Sequence, residues 1–477
     1  YDTPTDEFKS LSSVTSIEDT YIKGANKNMN YASIYGRLNY RFKDKYLLTM
    51  DLNLSSSSNI GQQADGLEFL SGIWGFFPSV KAGWLVSSEP FMKSAGWLDL
   101  LKLRASFSRT GNDFYSDQTR YGYTSSTYDQ NSGLVRSFVP NPTLKWETID
   151  QYNTGADMAL WNEALQVSAD IYTRTTKDLL TYKMLPVEMG YSNYWENNGT
   201  LQVSGVDLGL DARVIDRTFT FDLGVSLSFM DSKLELDRDI IVDVPGGQVV
   251  ADADGGFLSF YGHQSMGIFH SRSQAEEASL VTDDGQAFTS GDVHFNDTDG
   301  NGVIDQQDQL ELGQIMPSFQ GGISGSFGYK NWSLDMLFDF NYGNKIFNYT
   351  RMLTESVSGL ANQTEATLNA WKHDGDQTDV PRISYNDPKG NARFSDRWIE
   401  DGSYIRLKNI RLSYTFEGNQ MYKNIQVYVA GSNLVTFTDY LGYTPEFSYS
   451  DNPLMQGIDY GQMPVPRSVV LGVNVGF

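Results

Sequence analysis

Hydrophobic and polar residues alternate with a period of two along nearly the whole chain. Trp332, Leu334, Met336, Phe338 and Phe340 interleave with Ser333, Asp335, Leu337, Asp339 and Asn341. Phe219, Phe221, Leu223, Val225, Leu227 and Phe229 interleave with Thr218, Thr220, Asp222, Gly224, Ser226 and Ser228. The same pattern marks Val206 to Val214, Tyr46 to Leu54 and Leu101 to Phe107. Each stretch is expected to be a strand with one apolar and one polar face, because successive side chains leave a strand on opposite sides. A soluble sandwich would bury the apolar face in its core; a membrane barrel would turn it to lipid.

Connection lengths discriminate between the two. Tight turns are expected at Lys43-Asp44, Trp161-Asn162-Glu163, Ile215-Asp216-Arg217 and Lys330-Asn331. Between these hairpins run long links: from about Ser56 to Phe77, onward to about Val203, an insertion over 231–317, and a link to about Ser403. Short and long connections thus alternate, so one end of the structure carries tight turns and the other carries large loops. Bacterial outer-membrane barrels have short periplasmic turns and long extracellular loops, whereas a sandwich has no reason to sort its loops by length. The expected architecture is an all-β, transmembrane antiparallel β-barrel. The count is about thirteen strands, or fourteen if residues near 11–22 form one. The last strand puts Val469, Leu471, Val473, Val475 and Phe477 on one face. An amphipathic last strand with this ending resembles the signal read by the barrel-assembly machinery. One strand breaks parity: Ile405 and Leu407 share a face, but Ile410, Leu412 and Tyr414 fall on the other. Either a β-bulge near Lys408-Asn409 restores the register, or part of that strand rises above the membrane.

Composition narrows the class. Apolar residues make up 40% and no run of about eighteen of them occurs, which excludes a transmembrane helix but not a barrel, where only alternate residues face lipid. The net charge of −23 excludes nucleic acid as a partner, since phosphate would be repelled. Cysteine is absent, so disulfides, zinc thiolates and thiol nucleophiles are excluded.

The sharpest local motif runs from Asp297 to Asp308. Counting Asp297 as position one, Asp299 falls at three, Asn301 at five, Gly302 at six, Val303 at seven, Asp305 at nine and Asp308 at twelve. This is the spacing of an EF-hand-like calcium loop, with glycine at the sharp turn and the seventh residue offering its carbonyl. It departs from that pattern in having Asp at twelve in place of Glu. A structural Ca²⁺ held by Asp297, Asp299, Asn301, Val303, Asp305 and Asp308 is expected; an ion-free acidic turn is the alternative. His263, His270, His294 and His373 show no metalloprotease spacing and are read as polar loop residues. No nucleophile elbow or phosphate-binding loop occurs, so no enzyme is expected. Three aromatic loop clusters are candidate cargo or lid contacts, because aromatic faces stack on sugars and loops carry binding roles. They are Tyr121, Tyr123 and Tyr128; Tyr191, Tyr194 and Trp195; and Tyr440, Tyr443, Phe447 and Tyr449.

Several segments together resemble the C-terminal half of SusC-like TonB-dependent transporters. They include YGRLNYRFKDKYLLTMDL at Tyr35–Leu52, FFPSVKAGWLVSSEPFM at Phe76–Met92, LKLRASFSRTGN at Leu101–Asn112 and NPTLKWETIDQYNTGAD at Asn141–Asp157. YTRTTKDLL at Tyr172–Leu180, DTDGNGVIDQQDQLELG at Asp297–Gly313, YIRLKNIRLSYTF at Tyr404–Phe416, VYVAGSNLVTFTDYLGYTPE at Val427–Glu446 and the PVPRSVVLGVNVGF ending follow in the family's order. The resemblance implies that residues 1–477 are the C-terminal part of a barrel of about 22 strands. The plug and first strands would lie outside this sequence, and 231–317 would be a large extracellular loop. It further implies an outer-membrane location in contact with lipid, TonB-driven import of a glycan oligomer or peptide, a SusD-like surface lipoprotein as lid, and a TonB complex engaged through the N-terminal part. A homodimer of transporter–lipoprotein pairs is compatible with it. Two alternatives stand beside this reading: a complete 14-stranded passive channel, and a soluble calcium-stabilised adhesin or glycan-binding protein.

Overall fold

The computed structural model describes residues 29–477 apart from 71, 114–118, 129–130, 192, 238, 252–257, 419–422 and 447–455; the segment 11–22 lies outside them. Thirteen long strands follow one another in chain order across a single antiparallel sheet. They are β1 (Tyr31–Phe42), β2 (Tyr46–Ser57), β3 (Gly72–Leu85), β4 (Leu98–Asn112), β5 (Glu147–Leu160), β6 (Leu165–Lys177) and β7 (Thr200–Asp216). Then come β8 (Phe219–Glu235), β9 (Phe319–Tyr329), β10 (Trp332–Tyr342), β11 (Tyr404–Glu417), β12 (Asn424–Thr438) and β13 (Ser468–Gly476). A three-residue strand, Leu67–Phe69, pairs beside β3 and is the fourteenth member of the sheet.

The register aligns every apolar set predicted from the alternation on one face. Leu208 of β7 sits opposite Leu227 of β8, Val225 opposite Ile323 of β9, and Ile323 opposite Phe338 of β10. Phe338 is opposite Leu407 of β11, Leu407 opposite Val435 of β12, and farther along Val429 opposite Leu471 of β13. The face is uncovered among the described residues: Ile323 is 40% exposed, Phe437 64% and Leu471 82%. A continuous exposed apolar face of this size is what a lipid-facing wall requires and what a soluble sheet cannot tolerate. Aromatic rings gather on it near both ends. Tyr40, Phe42, Tyr46 and Trp84 stack in succession beside the tight turns, and Phe229, Phe319 and Phe340 form the counterpart toward the long loops. Such belts suit the two membrane–water interfaces.

The tight turns fall where the polar breakers lie. Lys43 and Asp44 both adopt positive φ, the conformation that lets a two-residue turn follow strand twist. The bulge at Lys408 is present, with the register shifting between Leu407 and Asn409 against both neighbouring strands. A second bulge at Val214 was not anticipated; it extends β7 to Asp216 and moves the expected turn at Ile215-Asp216-Arg217 to residues 217–218.

One connection at the tight-turn end is longer, residues 86–97, and Glu89 anchors it. Its carboxylate accepts from Lys45 Nζ at 2.9 Å, Tyr46 Oη at 2.7 Å and Trp84 Nε1 at 3.2 Å. The Lys45 bond foremost, with those from Tyr46 and Trp84, holds the carboxyl down at about 2. A depressed carboxyl contributes stability that is full above its ordinary pKa and is lost as pH falls through the folded value. Amide-exchange protection of residues 86–97 is therefore expected to hold from pH 7 to 5 and to fall toward pH 2. In Glu89→Gln the protection should be weaker at pH 7 and flat across this range.

The buried clusters lie mainly in the loops, joined by loop-end residues of wall strands such as Leu234 and Phe77. Val249, Phe260, Phe347, Trp398 and Ile458, from the three longest late loops, form one cluster. Phe269, Val293, Phe295 and Ile304 form a second, with Trp371 packed on it. Small sheets knit the loops together: Lys345–Asn348 pairs with both Ile399–Asp401 and Ile458–Asp459. The connections 236–318, 343–403 and 439–467 thus share one core above one end of the wall.

Candidate functional site: the loop end and the polar face

Opposite the lipid-type face, the alternate residues form a hydrated ionic lining. Arg37 pairs with Asp51 at 2.5 Å, and Arg104 bridges Asp157 and Asp170 at 2.8 and 2.9 Å. Ser228 donates to Asp207 and Ser326 to Asp335. These are neighbours on adjacent strands brought together by register, apart from Asp170, which Arg104 reaches across Gly155 of β5. In a barrel this face lines the lumen.

The loop 297–308 brings three of its six expected ligands together. Asp297 accepts from the backbone N–H groups of Gly300, Asn301 and Gly302, and Gly302 takes φ +80. Asp308 is fully buried and accepts from Thr298 N–H at 2.7 Å and Asp305 N–H at 2.9 Å. Carboxylate oxygens of Asp297, Asp299 and Asp308 lie within 4.8 Å of one another. Two expected ligands are differently engaged. Asp305 caps the short turn Gln306–Asp308 through Gln307 N–H, and Asn301 Oδ1 accepts from Val303 N–H while its Nδ2 donates to Asp299. Three hard oxygen donors and a glycine-bent loop fit Ca²⁺. An amide that offers its N–H₂ to Asp299 would have to turn over to add a fourth. The Val303 strand, Val303–Ile304, pairs in parallel with Val281–Thr282, tying the loop to the second core cluster.

His263, expected to be a polar loop residue, is buried at 6% exposure. Its Nε2 donates to the Asp305 carbonyl at 2.8 Å and its ring packs on Phe295; burial pushes its pKa down.

The aromatic clusters divide. Tyr121 and Tyr191, from different loops, line one cavity together, and Tyr123 is 59% exposed. Tyr194 is half-buried and burial raises its pKa. Trp195 is partly buried and packs on the cluster of Ile60, Phe77, Leu144 and Trp146. Tyr440 is buried, its phenol donates to Asp459, and burial holds that phenol in the protonated form. Tyr443 projects at 84% exposure. The Tyr128 side chain, Phe447 and Tyr449 lie outside the described residues. Sequence reasoning passed over Arg120, Arg136 and Thr119, which share the cavity of Tyr121 and Tyr191; no spacing signal links residues of two separate loops.

An uncovered apolar wall, an ionic opposite face and massive loops at one end define an outer-membrane β-barrel of the transporter class. A family model described as "TonB dependent receptor-like, beta-barrel" matches residues 1–434. Over 476 aligned residues the chain is 33% identical to TonB-dependent receptor P3 of Formosa agariphila, with 93% of this chain and 45% of that protein covered. It is 26% identical to TonB-dependent receptor SusC of Bacteroides thetaiotaomicron, over 93% of this chain and 43% of that one. A solved structure of the RagAB peptide transporter shares the fold, with a TM-score of 0.81 at 23% identity, over 99% of this chain and 50% of its own. The chain belongs to the TonB-dependent receptor β-barrel family, a family of outer-membrane receptors and not of enzymes. It spans about half the length of the relatives it matches. The soluble adhesin alternative is set aside by this membership.

Proposed function

We propose that the chain forms the C-terminal part of a SusC-like importer that moves a nutrient, a glycan oligomer or a peptide, through the outer membrane under TonB drive. The observation that carries the reading is the wall itself: thirteen strands in chain order turn an apolar face to one side and a polar face to the other, in a family whose named relatives are TonB-dependent receptors. The rigid loop core would present an outer surface to a SusD-like lipoprotein lid, and an N-terminal part of the full-length protein would engage TonB. The test is uptake of labelled malto-oligosaccharides, of labelled uronate and sulfated oligosaccharides and of a labelled tryptic peptide pool by cells expressing the full-length protein, with and without functional TonB. Accumulation of at least one probe only with TonB supports the reading. Accumulation that persists without TonB points to a passive channel, and accumulation of none overturns the nutrient class.

We further propose that 297–308 binds Ca²⁺ as a structural ion. Asp299 is the side chain to remove, because it is exposed and the hydrogen bonds of Asp297 and Asp308 survive its loss. At a calcium concentration about 100-fold above its Kd the ion should stabilise the loop by about 2.7 kcal/mol. Chelation is expected to accelerate proteolysis within 236–318 in the parent protein and to leave Asp299→Ala unchanged. Equal proteolysis of the parent with and without calcium would exclude the ion.

A further inference from the structure

Two loops that are far apart in sequence close around a cavity of about 250 Å³ at the long-loop end. Its walls are Tyr121, Phe138, Pro140 and Tyr191, and two guanidinium groups, Arg120 and Arg136, stand in the same lining. Arg136 lies over the Tyr121 ring, 4.4 Å from its centroid. A guanidinium held against an aromatic ring can still grip a carboxylate or sulfate with two parallel hydrogen bonds through its N–H fork. Both arginines are exposed, and among the described residues no carboxylate pairs with either. In a chain of net charge −23 this pair is poorly explained as ordinary surface charge. A third observation concerns Thr119, which lines the cavity, is 7% exposed, and has no hydrogen-bond partner for its hydroxyl among the described residues. A buried hydroxyl without a partner costs stability unless something occupies the space beside it.

We propose that this cavity binds one acidic sugar unit, a uronate or a sulfated hexose, at the end of an anionic oligosaccharide. The inference rests on the import reading and narrows its cargo. The aromatic and proline walls take the apolar face of the ring, Arg120 and Arg136 take the anionic group, and Thr119 donates to a ring or hydroxyl oxygen. The cavity falls just below the range of whole-ligand pockets, so it fits a terminal unit and leaves the rest of the chain in the open. A uronate and a sulfate ester present the same chemistry to a guanidinium, and the experiment separates them.

The full-length protein in detergent is titrated calorimetrically with four probes: an oligogalacturonide, its methyl ester, a sulfated galactan oligosaccharide, and an acidic tripeptide. Binding of one or both anionic sugars is expected, weakening as salt rises, with the methyl ester and the tripeptide at least about tenfold weaker. Arg136→Gln and Arg120→Gln should each weaken anionic-sugar binding by about tenfold or more, since a charge-assisted pair of hydrogen bonds is lost. Arg136→Lys should recover part of it. The side chains are exposed, so melting temperatures that match the parent verify that the variants fold. Equal binding of the ester, preference for the tripeptide, binding unchanged in both glutamine variants, or no binding of either anionic sugar would each overturn the proposal. Its failure is separable from that of import. TonB-dependent uptake with no anionic-sugar binding removes the cavity and keeps the importer; binding with TonB-independent uptake keeps the cavity and removes the importer.

Discussion

Replacing Ile323 with arginine should destabilise the barrel in membranes by about 2–4 kcal/mol, whereas arginine at the adjacent Ser324 should change stability by no more than about 0.5 kcal/mol. The two residues sit at the middle of β9, are both exposed, and differ only in the face they occupy. Ile323 lies on the apolar face between Val225 and Phe338, with the aromatic groups of Phe319 and Phe327 toward either end of the strand. A cation there must be taken into hydrocarbon or must bend its stem a long way to reach water. Ser324 points to the ionic face, where charged side chains already stand. Unfolding by guanidinium in lipid vesicles, followed by tryptophan fluorescence, reads the difference. Equal effects at the two positions would mean that neither face meets lipid.

The second large effect concerns the loops. Asp292 is fully buried and accepts from Arg382 Nε at 2.7 Å, Asn391 Nδ2 at 3.0 Å and Thr289 N–H at 2.9 Å. It thereby joins the 236–318 loop to the 343–403 loop. Arg382 is about a third exposed, so the two partners are not equivalent. Arg382→Ala strands a carboxylate where water does not reach, and breaking a buried pair in this way costs about 3–5 kcal/mol. Asp292→Ala leaves a guanidinium that can hydrate, so the loss should be smaller. Hydrogen exchange across 343–403 should rise in both variants, more in Arg382→Ala. The wall strands β8 to β11 should keep their protection, because their ladder does not depend on this contact.

The contrast between wall and loops explains how far the sequence could be read. Wall strands carry their instruction locally: side chains two apart share a face, so Phe219 to Phe229 and Trp332 to Phe340 announce both strand and orientation. The Lys408 bulge was legible because it flips the parity of several apolar residues at once. The Val214 bulge was not, because it comes at a strand end with only Ile215 beyond it to reveal the change. The turn of the 297–308 loop was legible because its glycines and carboxylates lie within twelve positions of one another. The capping of Gln306–Asp308 by Asp305 is a local backbone contact that spacing does not record. Loop aromatics were the least legible. Tyr440 and Tyr443 look alike in sequence, yet Tyr440 is buried against Asp459 while Tyr443 is open to solvent. Trp195 is claimed by Ile60 and Trp146, far away along the chain. The cavity of Tyr121, Arg136 and Tyr191 likewise exists only once two loops have closed.

Cysteine is absent from this sequence, so a single introduced thiol reports its own position once any cysteine in the rest of the full-length protein has been replaced. Tyr443→Cys places it in an exposed position on the long-loop side, and Lys330→Cys places it in the tight turn between β9 and β10. Each variant of the full-length protein is treated in intact cells, and again after outer-membrane permeabilisation, with a thiol reagent that does not cross membranes. A barrel spanning the outer membrane with its large loops outward predicts labelling at 443 in intact cells and labelling at 330 only after permeabilisation. Labelling of both sites in intact cells, or of 330 alone, would contradict it.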